Sequence, residues 1–336
     1  MPEPVAADLV AGFPHPAILI DPAGNIGALN ALAGRSFPVA RGGEPAAFAF
    51  RDPRMQEALA RARGGDASRF ELVDRAPLER AFDVHVTPVG AAHVLIVLED
   101  LTERRRLERL RVDFVANASH ELRTPLASVL GFIETLQGPA RGDARAADRF
   151  LGIMEEQARR MARLVDDLLS LSRIELQAHV RPTDSVVLQD AARQIVDGLK
   201  PRAAENRVQL IVDAPADPVT VRGDRDELLR AFENLIENAI RYGAPGGKAV
   251  ITIGRRGGAE AFASVRDFGP GIPPEHLPRL TERFYRADAA ASRQNGGTGL
   301  GLAIVKHIML RHRGRLEIES QLGAGSTFTM RLDAID

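Results

Sequence analysis

The sequence predicts a multidomain protein: a small α+β domain, then an all-α helical hairpin, then an α/β sandwich. Three observations predict this. Short β-rich runs separated by turn residues fill the chain up to about residue 100, apolar residues fall at heptad-like spacing from Leu101 to about Leu176, and helical and strand patterns mingle from about Pro182 onward. A chain of 336 residues is also too long for one ordinary core, at roughly 150 residues per domain. The expected boundaries are 1–100, 101–180 and 181–336.

In the first region, Pro16 to Ile20 reads as a strand that stops at the turn-forming cluster Asp21-Pro22-Ala23-Gly24-Asn25. Phe82 to Val86 alternates with period two, and the continuous apolar run Val94 to Leu98 reads as a buried central strand. In the second region, Val115, Ala118, Leu122, Val129, Ile133 and Leu136 form one stripe of a helix that Gly138-Pro139 stops. Arg141 to Ala147 makes a polar connection to a second helix with Met154, Met161 and Leu168 at one heptad position and Phe150, Leu164 and Leu171 at another. One hairpin buries only one stripe of each helix, so pairing with a second copy into a dimeric four-helix bundle is the expected remedy. In the third region strands are expected at Val208–Val212, Val250–Ile253, Ala261–Val265, Leu316–Glu319 and Thr327–Leu332, and helices at Val187–Ala203, Asp226–Tyr242 and Leu300–Arg311.

Composition narrows the function. Acidic and basic residues nearly cancel, 45 against 44, which argues against a nucleic-acid partner or a polybasic membrane patch. With no Cys, disulfides, thiolate metal sites and cysteine catalysis are excluded. The longest aliphatic run, Val94 to Leu98, falls far short of the roughly 18 apolar residues of a membrane span. No secretion signal opens the sequence, so a cytoplasmic location is expected, with a tether outside this chain left open. His15, His85 and His93 read as structural or solvent-facing and not as heme or metal ligands.

The most informative stretch is Phe114-Val115-Ala116-Asn117-Ala118-Ser119-His120-Glu121-Leu122-Arg123-Thr124-Pro125-Leu126. The apolar seam passes through Ala118 and Leu122, so His120 projects from the other side of the helix, with Thr124 one turn on. Pro125 lacks the N–H that Glu121 would receive, so a bend is expected beside the histidine. A neutral imidazole is a good nucleophile near pH 7, and an adjacent carboxylate can fix its tautomer and take its proton. The pattern by itself also fits a surface histidine beside a chance acid.

This run resembles the phospho-acceptor box of the dimerisation-and-phosphotransfer family of histidine kinases, and Arg160-Met161-Ala162-Arg163-Leu164-Val165-Asp166-Asp167-Leu168-Leu169 is similar to that family's second helix. The resemblance implies His120 as phospho-acceptor, Glu121 as the acid/base beside it, and a response-regulator receiver domain as partner. The spacing of Glu121 and Thr124 is similar to that of members that also dephosphorylate their partner, where the threonine would position a water.

Further on, Asn234, Asn238 and Arg241 lie within about 60° of one another on a helix of about 3.6 residues per turn, followed by Tyr242, while Leu228, Phe232, Leu235 and Ala239 take a different face and should be core. Amide oxygens can ligate Mg²⁺ without adding charge that repels a nucleotide, and a guanidinium can pair with phosphate. A polar solvent face would explain that stretch if it stood alone. It does not: Asp267-Phe268-Gly269-Pro270-Gly271-Ile272, Arg283-Phe284-Tyr285-Arg286, Gly296-Gly297-Thr298-Gly299-Leu300-Gly301-Leu302 and Gly323-Ala324-Gly325-Ser326-Thr327-Phe328 follow in order. Glycines that open a helix let backbone N–H groups approach phosphate.

That order resembles the ATP-binding domain shared by histidine kinases, type II topoisomerases, Hsp90 chaperones and mismatch-repair ATPases. The resemblance implies ATP and Mg²⁺ as ligands. Asp267 would accept from the adenine amino group, Asn238 would hold Mg²⁺, and a mobile lid would run from about Pro273 to Gly297. Asn234, Arg241, Tyr242, Gly269, Gly271, Ile272, Gly297, Thr298, Gly299, Leu300, Gly301, Leu302 and Thr327 would complete the nucleotide site. Three positions depart from the pattern: Phe268 stands where a small polar residue is common, Gly243 where Ser is frequent, and Arg241 where Lys is usual. A hydrolytic ATPase relative would carry glutamate four residues before the metal-binding asparagine, and here that position is Asn234. Every residue expected to act is present, which argues against a dimeric scaffold without kinase activity. The first domain resembles a PAS sensor module, with Glu99-Asp100-Leu101-Thr102-Glu103-Arg104 similar to the segment that joins such modules to an output helix.

Overall fold

The computed structural model describes residues 8–74, 79–90, 92–257, 259–287 and 297–335. Its backbone divides into two compact units, Met1–Val115 and Ala116–Asp336.

The first unit contains β1 (Ala17–Ile20), β2 (Ile26–Leu29), α1 (Ala31–Ser36), α2 (Ala46–Ala49), α3 (Pro53–Arg63), β3 (Ser68–Asp74), β4 (Arg80–Val89), β5 (His93–Asp100) and the opening turns of α4 (Thr102–Gln137). All strand pairs are antiparallel, in the order β2-β1-β5-β4-β3. The turn between β1 and β2 closes because the Asp21 carboxylate accepts from the Asn25 N–H at 2.8 Å and the Asp21 carbonyl from the Gly24 N–H at 3.0 Å. As expected, β5 is central. Its Val94, Ile96 and Leu98 enter the main core with Ile18, Ile20, Phe82 and Val84, while Leu95 and Val97 pack on the other face with Val10 and Leu19. The start of α4 is tied to this sheet: the Leu101 N–H donates to Ala81 at 2.7 Å, Thr102 Oγ1 accepts from the Ala81 N–H at 3.1 Å, and Arg109 pairs with Glu79 at 2.8 Å.

The second unit opens with the hairpin of α4 and α5 (Ala144–Leu176). Asp143 caps α5 by accepting from the N–H groups of Arg145 and Ala146, so this helix starts inside the stretch that the sequence assigned to the connection. Leu164, Leu171 and Ile174 are buried, and Phe132 stacks on Phe150 with centroids 5.0 Å apart. Ala118, Leu122, Val129, Ile133 and Leu136 are half-buried as the heptad pattern requires, whereas Val115, expected on the same stripe, is exposed. A second stripe of large apolar side chains, Leu126, Leu130, Leu151, Val165 and Leu169, stays exposed.

The α/β layer follows with β6 (Ser185–Val187), α6 (Leu188–Glu205), β7 (Gln209–Asp213), β8 (Thr220–Arg222), α7 (Arg225–Gly243), β9 (Lys248–Arg256), β10 (Glu260–Asp267), α8 (Gly301–Arg311), β11 (Arg315–Gln321) and β12 (Gly325–Ile335). The sheet runs β6-β8-β12-β10-β9-β7, with β11 also on β12. Its long antiparallel strands give the register Asp267↔Ala249 and Arg266↔Thr327. The two three-residue strands β6 and β8 carry too few residues for a periodic signal, and the sequence did not announce them. Leu228, Phe232, Leu235 and Ala239 of α7 are buried, as their spacing predicts.

Candidate functional site

The helix that carries the two amides is anchored at its start. The Asp224 carboxylate caps α7 through the N–H groups of Asp226 and Glu227, at 3.1 and 3.2 Å. Behind it lies His312, fully buried at the end of α8. Its Nε2 accepts from the Asp224 N–H at 3.0 Å, so Nδ1 carries the proton and donates to the Ile308 carbonyl at 2.8 Å. Burial pulls the His312 pKa below the ordinary value, against the raising effect of the Ile308 carbonyl, and the ring is neutral. Arg311 adds ion pairs to Glu227 and, at 3.5 Å, to Asp224.

From there the polar face of α7 turns toward a cavity of about 580 Å³. It gathers Asn234, Asn238, Arg241 and Tyr242 from α7, Asp267, Gly271 and Ile272 from the turn after β10, and Gly297, Thr298, Gly299, Gly301 and Leu302 from the start of α8. Three expected residues do not line it. Gly269 acts at one remove: its N–H donates to Asp267 Oδ1 at 2.9 Å, and a Cβ there would lie 2.2 Å from the Tyr242 carbonyl oxygen. Leu300 is wholly buried in the core. Thr327 gives way to Ser326 and Phe328, which flank it on β12 and do line the cavity, because strand neighbours point to opposite faces.

Asp267 is 4% exposed. Burial raises its pKa, and the backbone N–H groups of Gly269 and Ser326 oppose that rise. Asn234 Nδ2 donates to the Arg230 carbonyl at 2.8 Å, which leaves Oδ1 facing the start of α8. A Cβ at Gly301 would sit 2.5 Å from that oxygen, so glycine is what lets α8 approach α7 here. At Gly243, where serine is frequent in the resembled family, an added Cβ would lie 3.0 Å from the Asp267 Cβ, a tight contact. A second departure, Phe268, lies outside the cavity lining, where Lys248 and Arg266 hold its ring at 4.5 and 4.8 Å, and the third, Arg241, lines the cavity.

Arg230, Arg241 and Arg286 line the cavity, and the Nε of each is buried with no hydrogen-bond partner among the described residues. Buried donors left unpaired are costly, and three of them around one cavity suit an anionic ligand such as a polyphosphate. The amide of Asn238 adds a neutral hard-oxygen donor.

His120 is exposed on α4 and is not among the lining residues. Thr124, also exposed, donates through Oγ1 to the His120 carbonyl at 3.3 Å. Pro125 is buried, and the helix runs through it to Gln137. Glu121 is half-buried and pairs with Arg160 of α5 at 3.3 Å and with Arg286 at 3.0 Å. Of the expected lid, a 3₁₀ turn spans Pro274–Arg279, while residues 288–296, Gly296 included, lie outside the described residues.

The sequence reading missed part of the wall. Arg163, Asp166 and Asp167 reach the cavity from α5, and nothing in their own spacing announces it. Arg230 was within reach, since it sits one turn before Asn234 on the same face.

A helical hairpin bearing an exposed histidine, joined to an α/β layer with an anion-suited cavity, is an arrangement that suits phosphoryl transfer. Comparison with known proteins agrees. Residues 110–177 match the His Kinase A (phospho-acceptor) domain, and residues 223–335 match the histidine kinase-, DNA gyrase B- and HSP90-like ATPase domain. The chain is similar to the phosphate regulon sensor protein PhoR of Pseudomonas aeruginosa, 39% identical over 86% of this chain and 64% of that protein. It is similar to the sensor-like histidine kinase SenX3 of Mycobacterium tuberculosis, 35% identical over 84% of this chain and 70% of that protein. The crystal structure of histidine kinase ThkA in complex with response regulator protein TrrA shares the fold, with a TM-score of 0.53 and 19% identity over 98% of each chain. The chain belongs to the sensor histidine kinases. It spans less than two thirds of PhoR. Among the described residues no helix is long and apolar enough to cross a membrane.

Proposed function

We propose that this chain autophosphorylates on His120 with Mg-ATP, passes the phosphoryl group to an aspartate of a response-regulator receiver domain, and also dephosphorylates that regulator. What carries the reading is that one cavity collects the Asn helix, the Asp267 turn and the glycine-rich segment in the same compact unit as the histidine hairpin. Its volume of about 580 Å³ suits a nucleotide-sized ligand.

The roles carry over from the family resemblance, and the cavity lining supports those of the nucleotide site. Asp267 accepts a hydrogen bond from the adenine amino group, and Asn234, Arg241 and Tyr242 border the phosphates with the N–H groups of the glycine-rich segment. Asn238 offers its amide oxygen to Mg²⁺, which when bound neutralises charge on the transferring phosphoryl group. The His120 ring nitrogen attacks the γ-phosphorus, the bond from that phosphorus to the β–γ bridging oxygen breaks, and ADP leaves with the electron pair. The proton displaced from the imidazole goes to Glu121, and for this the carboxylate must exchange its guanidinium partners for the ring. Thr124 orients a water during dephosphorylation.

The domain reading stays as residues 1–100 for a PAS-like sensor, 101–180 for dimerisation and phosphotransfer, and 181–336 for ATP binding. The five-stranded antiparallel sheet supports the first. The exposed stripe of Leu126, Leu130, Leu151, Val165 and Leu169 supports a homodimer through a four-helix bundle. A single-chain mass by light scattering would remove the dimer. ThkA, crystallised with a response regulator, supports that partner class.

Incubation with ATP labelled on the γ-phosphate tests the kinase reading. The parent should take up acid-labile, alkali-stable label, and His120→Gln should abolish it while nucleotide still binds. Label that survives acid, or persists in His120→Gln, removes His120 from the role.

A further inference from the structure

Two carboxylates of the hairpin reach guanidinium groups of the cavity wall. The Asp167 carboxylate pairs with Arg230 at 2.9 Å through one oxygen and accepts from Thr298 Oγ1 at 2.8 Å through the other. That hydroxyl in turn accepts from the Leu300 N–H at 3.3 Å, at the entrance to α8. Glu121 likewise pairs with Arg286, whose side chain is 9% exposed. Arg230, Thr298 and Arg286 all line the cavity, and so does Asp167 itself.

We infer that Asp167 is a positioning residue that sets nucleotide affinity: it is the anion that an incoming triphosphate must displace from Arg230 and Thr298. The inference rests on the nucleotide reading of this cavity. Asp167 joins α5 to α7 and to the glycine-rich segment, and those are the elements that present phosphate donors. A polyphosphate binds guanidinium as a charge-assisted, often bidentate acceptor, and it carries more charge than one carboxylate. It therefore exchanges with Asp167 and loosens the hairpin from the cavity wall. The same exchange at Arg286 removes one of the two guanidinium partners of Glu121 and leaves Arg160 as the other. The acids on this wall already disfavour one another. Glu233, which also lines the cavity, has its pKa raised first by burial and then by Glu237, with Asp167 among the lesser contributors.

The test uses the full chain and titrates Asp167→Asn with ATP, ADP and adenosine, with KM and kcat for autophosphorylation alongside. Removing the competing charge should tighten ATP roughly fivefold, on the order expected for charges several ångströms apart at a partly solvated site. The gain should shrink for ADP and vanish for adenosine. Asp167→Ser should behave like the asparagine variant, and Asp167→Glu should return affinity to near the parent. Unchanged or weaker ATP binding in both neutral variants, while the parent binds ATP, overturns the inference. So does a fall in kcat and melting temperature with KM unmoved, the mark of a purely structural contact. A parent that binds no ATP at all fails the nucleotide reading first and this inference with it.

Discussion

Asp267 holds a carboxylate where burial disfavours its charge, and two backbone N–H groups keep the acceptor in place. A hydrogen bond to an ionised group contributes about 1.5–3 kcal/mol, enough to select a base that carries an amino group. Asp267→Asn should therefore reduce the preference for ATP over GTP by about tenfold or more in competition binding, and an unchanged ratio would remove Asp267 from base recognition. Thr124 shares the exposed face with His120 but sits a full turn away, about 5.4 Å along the axis. Its hydroxyl proton goes to the His120 carbonyl, so the oxygen lone pairs stay available to a water. Thr124→Ala should keep autophosphorylation within a few-fold of the parent while dephosphorylation of the regulator falls about tenfold, about 1.4 kcal/mol of barrier. If both rates fall together, the substitution is disturbing the helix. These residues were legible in the sequence because their signal is local: a histidine beside an acid, or an acid before two glycines.

Between elements the glycine-rich segment has two tasks, to present N–H groups and to let α8 close on α7. The second is the one the structure quantifies at Gly301. An alanine there forces the Asn234 amide to rotate and give up its bond to the Arg230 carbonyl. Gly301→Ala should lower the melting temperature by a few degrees, in line with a loss of about 1 kcal/mol, and weaken nucleotide binding several-fold. Adding Asn234→Ala should recover the melting temperature, since the shorter side chain leaves room for the methyl group. Failure of that rescue would place the strain elsewhere. The sequence announced glycines before a helix but not which side chain they must clear.

Across the second unit, ion pairs join the hairpin to the α/β layer: Glu121 with Arg286, Asp167 with Arg230, and Glu175 with Arg283. His307 lies within 3.5 Å of Glu175, yet no ion pair forms there near neutral pH. Burial, with Arg283 and Lys306, lowers the His307 pKa from 6.5 to about 4, so the ring stays neutral and the carboxylate belongs to Arg283. The sign follows from linkage: a depressed histidine pKa contributes stability above 6.5 that is lost as pH falls through about 4. Glu175 works in the opposite sense, because burial raises its pKa. The melting temperature of the parent should fall on acidification across that window, and His307→Gln should fall less steeply. Equal slopes would show that His307 titrates normally in the folded chain.

Periodicity and turn chemistry are properties of short stretches, so the sequence by itself determined the helical hairpin, the longer strands of the α/β layer, the buried face of α7 and the order of the nucleotide motifs. It did not determine which acid meets which cation. Asp167 and Thr298 are 131 residues apart, and Glu121 and Arg286 are 165 apart. Many arginines could pair with either acid on charge alone. Only the packing of α5 and α4 against the cavity wall chose among them, because a charge-assisted hydrogen bond forms within about 3 Å and no local pattern encodes a distance between elements.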